Sequence, residues 1–178
     1  NSPARRAAQS ALHHITHTFM RLIAPILSFT ADEIWGSLNL SAEATVFEDV
    51  WYNIPAHGLQ ANRIAAWQTI ISARALAAKE IEVLRSAGEV GSSLQAELEF
   101  YASANTFDAL NSLEDDLRFV MITSSTKVSK VASDTEQKIL VKPSAHNKCD
   151  RCWHYRADVG EHVEHPTICG RCVSNLFG

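Results

Sequence analysis

This 178-residue chain has four cysteines, Cys149, Cys152, Cys169 and Cys172, in two Cys-x-x-Cys pairs separated by sixteen residues. A two-residue spacer lets a tight turn aim both sulfurs at one ion, while backbone N–H groups on the turn donate to the thiolates. Two such turns complete a tetrahedron around a single zinc ion, with Zn–S distances of about 2.3 Å. Protein fills all four positions, so the predicted ion is structural and leaves no place for water or substrate. Disulfides would suit a secreted chain, for which nothing here argues, and a redox dithiol would use one Cys-x-x-Cys beside a βαβ pattern. Residues 146–178 are too few to build a core unaided. Metal binding on the order of 10 kcal/mol must therefore hold them together. His154, His162 and His165 lie between the pairs, but with the tetrahedron full they read as surface or neighbouring groups.

Upstream the pattern is helical. Leu12, Ile15, Phe19 and Leu22 recur at helical spacing from Pro3 to about Ala24, and Pro25 ends or kinks that helix. Thr30-Ala31-Asp32-Glu33 is a capping-box pattern, which predicts a second helix opening at Thr30 before Ile34 and Trp35. The two helices read as the end of a bundle whose beginning is missing, leaving Leu12, Ile15 and Phe19 exposed. Asn1 in place of an initiator Met fits the same expectation of a piece of a longer protein. Residues 40–60 read as a connector. A long helix follows from Ala61 to about Ala87, with Ile64, Trp67, Ile71, Ala75, Ala78 and Ile81 on its apolar side and Gly88 as C-cap.

After Gly91 the period changes to two. Leu94, Ala96, Leu98 and Phe100 alternate with polar residues and Tyr101, the mark of a half-buried strand. Thr106 is expected to cap a short helix carrying Phe107, Leu110 and Leu113. Strands are expected at Leu117–Thr123, at Lys138–Lys142 and at Lys127–Val131, with a polar loop over 124–137. The resulting class is α+β with several domains. Residues 1–60 end a helical bundle, 61–90 form a linking helix, 91–145 a small α+β domain, and 146–178 the four-cysteine zinc module.

Apolar residues make up 46% of the chain, enough for a packed core, and no apolar run reaches the roughly 20 residues that span a bilayer. The net charge of −4 alone argues against a nucleic-acid binder, but its distribution is uneven. Residues 1–116 carry seven basic and fourteen acidic side chains, whereas 117–178 carry nine basic and six acidic ones. A polyanion would therefore meet the C-terminal part. There the knuckle tips present Lys148, Arg151, Trp153 and Arg171. Arginine beside an aromatic suits single-stranded RNA: guanidinium groups bond phosphates or base edges, and rings stack on unpaired bases. The same residues would also serve a protein contact.

The segments KCDRCWHYRADVG and HPTICGRCVSNLFG closely resemble the zinc module of bacterial isoleucyl-tRNA synthetases. RLIAPILSFTADEIWGSL is similar to the end of the helical anticodon-binding domain of class I synthetases. VGSSLQAELEFYA and DDLRFVMITSSTKV resemble the segment that links the two. The resemblance implies a cytoplasmic, monomeric ligase that joins isoleucine to its tRNA with ATP. The zinc module would approach the anticodon stem-loop, with Trp153 stacking on a base, Arg151 bonding a phosphate or base edge, and Lys148 and Arg171 beside them. The signatures HIGH and KMSKS are absent. His13-His14-Ile15-Thr16-His17 lacks the glycine, and Lys127-Val128-Ser129-Lys130-Val131 lacks the methionine and final serine. Hence the chain is expected to bind tRNA and zinc without catalysis, ATP belonging to a catalytic domain that is missing.

Two other readings belong to different classes. A DNA-repair glycosylase carries a similar zinc finger but needs an N-terminal Pro-Glu, and here Pro3 precedes Ala4. A protein-interaction zinc module would show no salt-dependent tRNA binding.

Overall fold

The structure, a computed structural model, describes residues 3–38, 44–56, 58 and 60–177. Parts of the expected connector, and residue 178, lie outside them. The chain divides into two compact units, Asn1–Gly58 and Leu59–Gly178.

In the first unit, helices α1 (Pro3–Ile23) and α2 (Ser28–Leu38) pack through Met20, Ala24, Ala31 and Trp35, with Val46 closing the cluster. Helix α1 stops two residues short of Pro25, which lacks the N–H needed to continue it. Helix α2 opens at Ser28, so Thr30 lies in its first turn and does not cap it. Within the expected box, Asp32 accepts from Thr45 Oγ1 at 2.6 Å and from the Val46 N–H at 3.0 Å, tying the connector to the helix. Arg21 makes a second tie, to Asp49 at 2.7 Å and to the Val50 carbonyl at 2.7 Å, with its guanidinium 4.4 Å from the Trp35 ring centre. Leu12, Ile15 and Phe19 are 61%, 62% and 52% exposed, as expected of these positions.

The second unit is built on β1 (Ala96–Ser103), the centre of a three-stranded sheet of order β2-β1-β3. Strand β2 (Ser125–Val131) runs parallel to β1, and β3 (Lys138–Pro143) runs antiparallel to it. A parallel neighbour requires a crossover, which α4 (Ala104–Asn111) and α5 (Leu117–Met121) provide. The expected alternation holds: Ala96, Leu98, Phe100 and Ala102 are buried. They form one cluster with Leu110, Leu117 and Met121 and with the long helix α3 (Ala61–Ser86).

The buried face of α3 is Ile70, Ala73, Ala77 and Ile81; of the expected side only Ile81 is on it, and Ile64, Trp67, Ile71, Ala75 and Ala78 are not. Ile64, Trp67 and Ile71 are 44%, 41% and 60% exposed. Because Ile70 and Ile71 are adjacent, apolar spacing supports either face. Ala73 and Ala77 decide it, since short side chains let the helix approach the sheet closely.

Helix α3 ends in a Schellman turn, as Gly88 predicts. The Glu89 N–H reaches the Leu84 carbonyl at 3.0 Å and the Gly88 N–H reaches that of Arg85 at 3.1 Å. Gly88 has φ +77°, and an added Cβ would meet nothing within 4 Å. The cost of Gly88→Ala is therefore conformational, about 1 kcal/mol. A lower urea midpoint for the second unit is expected, and an unmoved midpoint would contradict this account.

Residues 117–123 form α5 and a turn rather than a strand. The β-branched Val120 and Ile122 favour a strand locally, but Leu117, Arg118 and Met121 are buried at the spacing of one helix face. Ile122 ends the helix in the left-handed region at φ 58°. Half of the predicted 124–137 loop is β2, which contains the expected 127–131 strand and starts at Ser125. Helix α4 starts at Ala104 behind Ser103, so Thr106 is inside it.

Candidate metal centre

The centre is assembled by two local structures of different kind. The first is a hairpin of β4 (Asn147–Lys148) and β5 (Tyr155–Arg156), paired Asn147 to Arg156 and Lys148 to Tyr155. Its tip carries Cys149 and Cys152. The Cys149 N–H donates to the His154 carbonyl at 2.9 Å, and the Trp153 N–H returns to the Cys149 carbonyl at 2.8 Å. This closure places Trp153 in the left-handed region, at φ 65°.

The second is the entry to α6 (Gly170–Phe177). Cys169 precedes the helix, and its carbonyl accepts from the N–H groups of Cys172 at 2.8 Å and Val173 at 3.0 Å. Cys169 and Cys172 therefore sit one helical turn apart on the same side. Asp158 takes the Gly170 N–H at 2.8 Å, and the Asp150 N–H reaches across to the Thr167 carbonyl at 3.0 Å, holding the two halves in register.

The four sulfurs lie within 4.8 Å of one another. Cys149 and Cys172 are 3.8 Å apart, and Cys152 and Cys169 are 3.7 Å apart. A tetrahedron with Zn–S of about 2.3 Å has edges of about 3.8 Å, so the residues fit a zinc ion. A disulfide would need about 2.05 Å, and all four cysteines are free. Cys149, Cys169 and Cys172 are buried, and Cys152 is half-buried. Burial raises the Cys149 thiol, but N–H groups of Cys152, Cys169 and Arg151 outweigh it and bring it down to about 6. Burial pushes the Cys169 thiol up to about 12 and raises that of Cys172. Sulfurs this close deprotonate together only with a cation among them, which is what a divalent ion supplies. None of His154, His162 and His165 joins the cluster. His154 turns its Nδ1 to the Cys152 carbonyl at 3.0 Å, while His165 stacks on Phe177 with ring centres 3.9 Å apart.

Trp153 is 59% exposed beside this centre, and Lys148 Nζ lies 5.5 Å from its ring centre. Arg151 is exposed too, but its Nη1 donates to Cys172 Sγ at 3.8 Å. Arg171 lies with its guanidinium carbon 4.8 Å from the Phe119 ring centre, so it faces α5. Three residues of this region carried no signal in the sequence. Phe119 touches Arg171 and His154, and Ser124 accepts the Tyr155 N–H at 2.5 Å. The third is Arg118, buried beside Phe119 and ion-paired with Asp115. Burial, with repulsion from Arg156 and Arg171, holds the Arg118 guanidinium below its ordinary value.

A family model described as the anticodon-binding domain of tRNA ligase matches residues 1–100, and one described as a zinc finger found in FPG and IleRS matches residues 147–175. The cofactor is accordingly zinc. An isoleucine–tRNA ligase of Janthinobacterium sp. (strain Marseille) is 51% identical over 180 residues, covering 99% of this chain and 19% of the relative. That of Thiobacillus denitrificans is 52% identical, covering 100% and 19%. The chain thus spans about a fifth of the length of these relatives. The finger description names two families, and the anticodon-domain match favours the ligase over the glycosylase. No helix among the described residues is long and apolar enough to cross a membrane. The chain belongs to the family of tRNA-ligase anticodon-binding domains and is similar, over its whole length, to part of bacterial isoleucine–tRNA ligases.

Proposed function

We propose that this chain is the anticodon-side, tRNA-binding part of an isoleucine–tRNA ligase, a cytoplasmic, monomeric enzyme that joins isoleucine to its tRNA with ATP. The chain's own share is binding. It lacks HIGH and KMSKS, so ATP and the chemistry belong to another part of the ligase. In this reading residues 1–60 and 61–90 follow the anticodon stem, 91–145 carry the module, and 146–178 approach the loop. Cys149, Cys152, Cys169 and Cys172 are the ligands of one structural zinc ion.

The observation that carries the reading is the exposed Trp153 ring with Lys148 beside it, in a chain whose residues 1–100 match an anticodon-binding domain. The ring offers a stacking platform for an unpaired base, and Lys148 offers a charge to its phosphate. Arg151 spends one N–H on Cys172 and keeps others, of the five on a guanidinium, for a phosphate or base edge. Arg171 contributes positive charge from the neighbouring turn. Base stacking is worth about 1–3 kcal/mol, so Trp153→Ala is expected to weaken binding of isoleucine tRNA roughly 5- to 150-fold while zinc stays bound. Equal affinity for cognate and noncognate tRNA, unaltered by chelation, would remove the reading.

A further inference from the structure

The zinc module meets the α+β domain at Phe119 and Ser124, among other side chains. Phe119, on α5, has two guanidinium groups over its ring, Arg118 at 4.5 Å and Arg171 at 4.8 Å from the ring centre. The His154 ring meets it edge-on at 5.5 Å, with an interplanar angle of 76°. Arg118 comes from the α+β domain, whereas Arg171 and His154 come from the two separate halves of the metal centre. One ring thus touches both knuckles at once. Just beyond α5 in the chain, buried Ser124 donates to the Leu94 carbonyl and accepts the Tyr155 N–H, stitching the hairpin to the approach to β1.

We infer that Phe119 is the positioning residue that fixes the zinc module on the α+β domain, and with it the direction in which Trp153 is presented. Two cations over one ring give the contact an orientation that apolar burial would not. The arrangement also explains how Arg118, Arg156 and Arg171 share so small a region. Arg118 is paired with Asp115 and Arg156 lies 3.7 Å from Asp158, while a divalent ion held by four thiolates would add about two net negative charges nearby. Hydrogen bonding of Arg151 to Cys172 belongs to the same compensation. Sequence gives no hint of this, because Phe119 lies thirty residues from the nearest cysteine and on the opposite domain.

The consequence for RNA rests on the reading proposed above, and the test separates the two. In the longest chain that carries these residues, cobalt replaces zinc so that thiolate-to-metal absorption reports the centre. Amide exchange at Tyr155 reports the junction, and tRNA affinity reports presentation. Phe119→Ala is expected to keep the cobalt absorption, to speed Tyr155 exchange roughly tenfold or more, and to weaken tRNA binding several-fold. Phe119→Tyr, which keeps the ring, is expected to match the parent chain in all three. Unchanged Tyr155 exchange in Phe119→Ala would overturn the inference. So would loss of the cobalt absorption, since Phe119 would then belong to the centre's own fold. Faster exchange with unchanged tRNA affinity would uphold Phe119 as the positioning residue and remove the RNA reading instead.

Discussion

Chelating the metal, or replacing Cys172 by serine, is expected to unfold the knuckles while leaving the three-stranded sheet in place. The cluster around the centre consists of Cys149, Val159, Cys169 and Cys172, with Cys152 and Ile168 packed against it. Four of these six residues are the sulfur donors themselves, so among the described residues two aliphatic side chains complete that cluster. Burying Val159 and part of Ile168 contributes at most about 1.5–3 kcal/mol each, far less than ordering some thirty residues costs. Metal binding on the order of 10 kcal/mol or more closes that gap. The sheet has its own core in Ile70, Ala77, Leu98, Phe100, Leu110 and Leu117, which contains no cysteine. Hydrogen exchange should therefore collapse for the hairpin amides of 147–156 on chelation and persist for β1. Continued protection of the hairpin without metal would refute the claim that the ion stands in for a core.

Leu110→Ala is expected to cost the second unit roughly 2–5 kcal/mol and to lower its melting temperature by on the order of 10 °C. Leu110 is fully buried on α4, in the cluster that joins α3 to β1. Removing three carbons there leaves a cavity bounded by the long helix and the central strand, two elements with little freedom to move inward. Leu140 is the matched control, being 45% exposed on β3. Leu140→Ala should shift stability by less than about 0.5 kcal/mol. Equal losses from the two substitutions would mean that the sheet's packed face has been misassigned.

Where each element could be read from sequence depended on whether local pattern and tertiary burial agree. Strand β1 was legible because its two faces differ in polarity at every step, from Ala96 to Phe100. The length of α3 was legible too, since a glycine follows its apolar run at Gly88. Its buried face was not, because isoleucines and alanines surround the helix and the sheet chooses among them. Segment 117–123 misled for the opposite reason. Val120 and Ile122 carry strand propensity, and Thr123 and Ser124 hide the turn, while the burial of Leu117, Arg118 and Met121 that makes it a helix is set by β1 and α3. Of β2, the 127–131 part was legible, while its start was obscured by Ser125 and Thr126, which suit a sheet edge as well as a loop. At the metal centre the cysteine spacing pointed to the cluster, whereas nothing local could reveal that Arg171 would face Phe119 or that Arg151 would reach a sulfur.

The backbone at Trp153 gives that side chain a different kind of significance. A left-handed φ of 65° suits glycine or asparagine and costs a bulky residue on the order of 1 kcal/mol or more. For the hairpin alone, glycine would be the stabler occupant of this position. The knuckle is therefore a sprung mount: metal ligation supplies enough stability to hold an indole where the chain, left to its own preferences, would not keep one. Its energetic surplus is converted into an aromatic surface facing outward, at the turn that carries two of the sulfur donors.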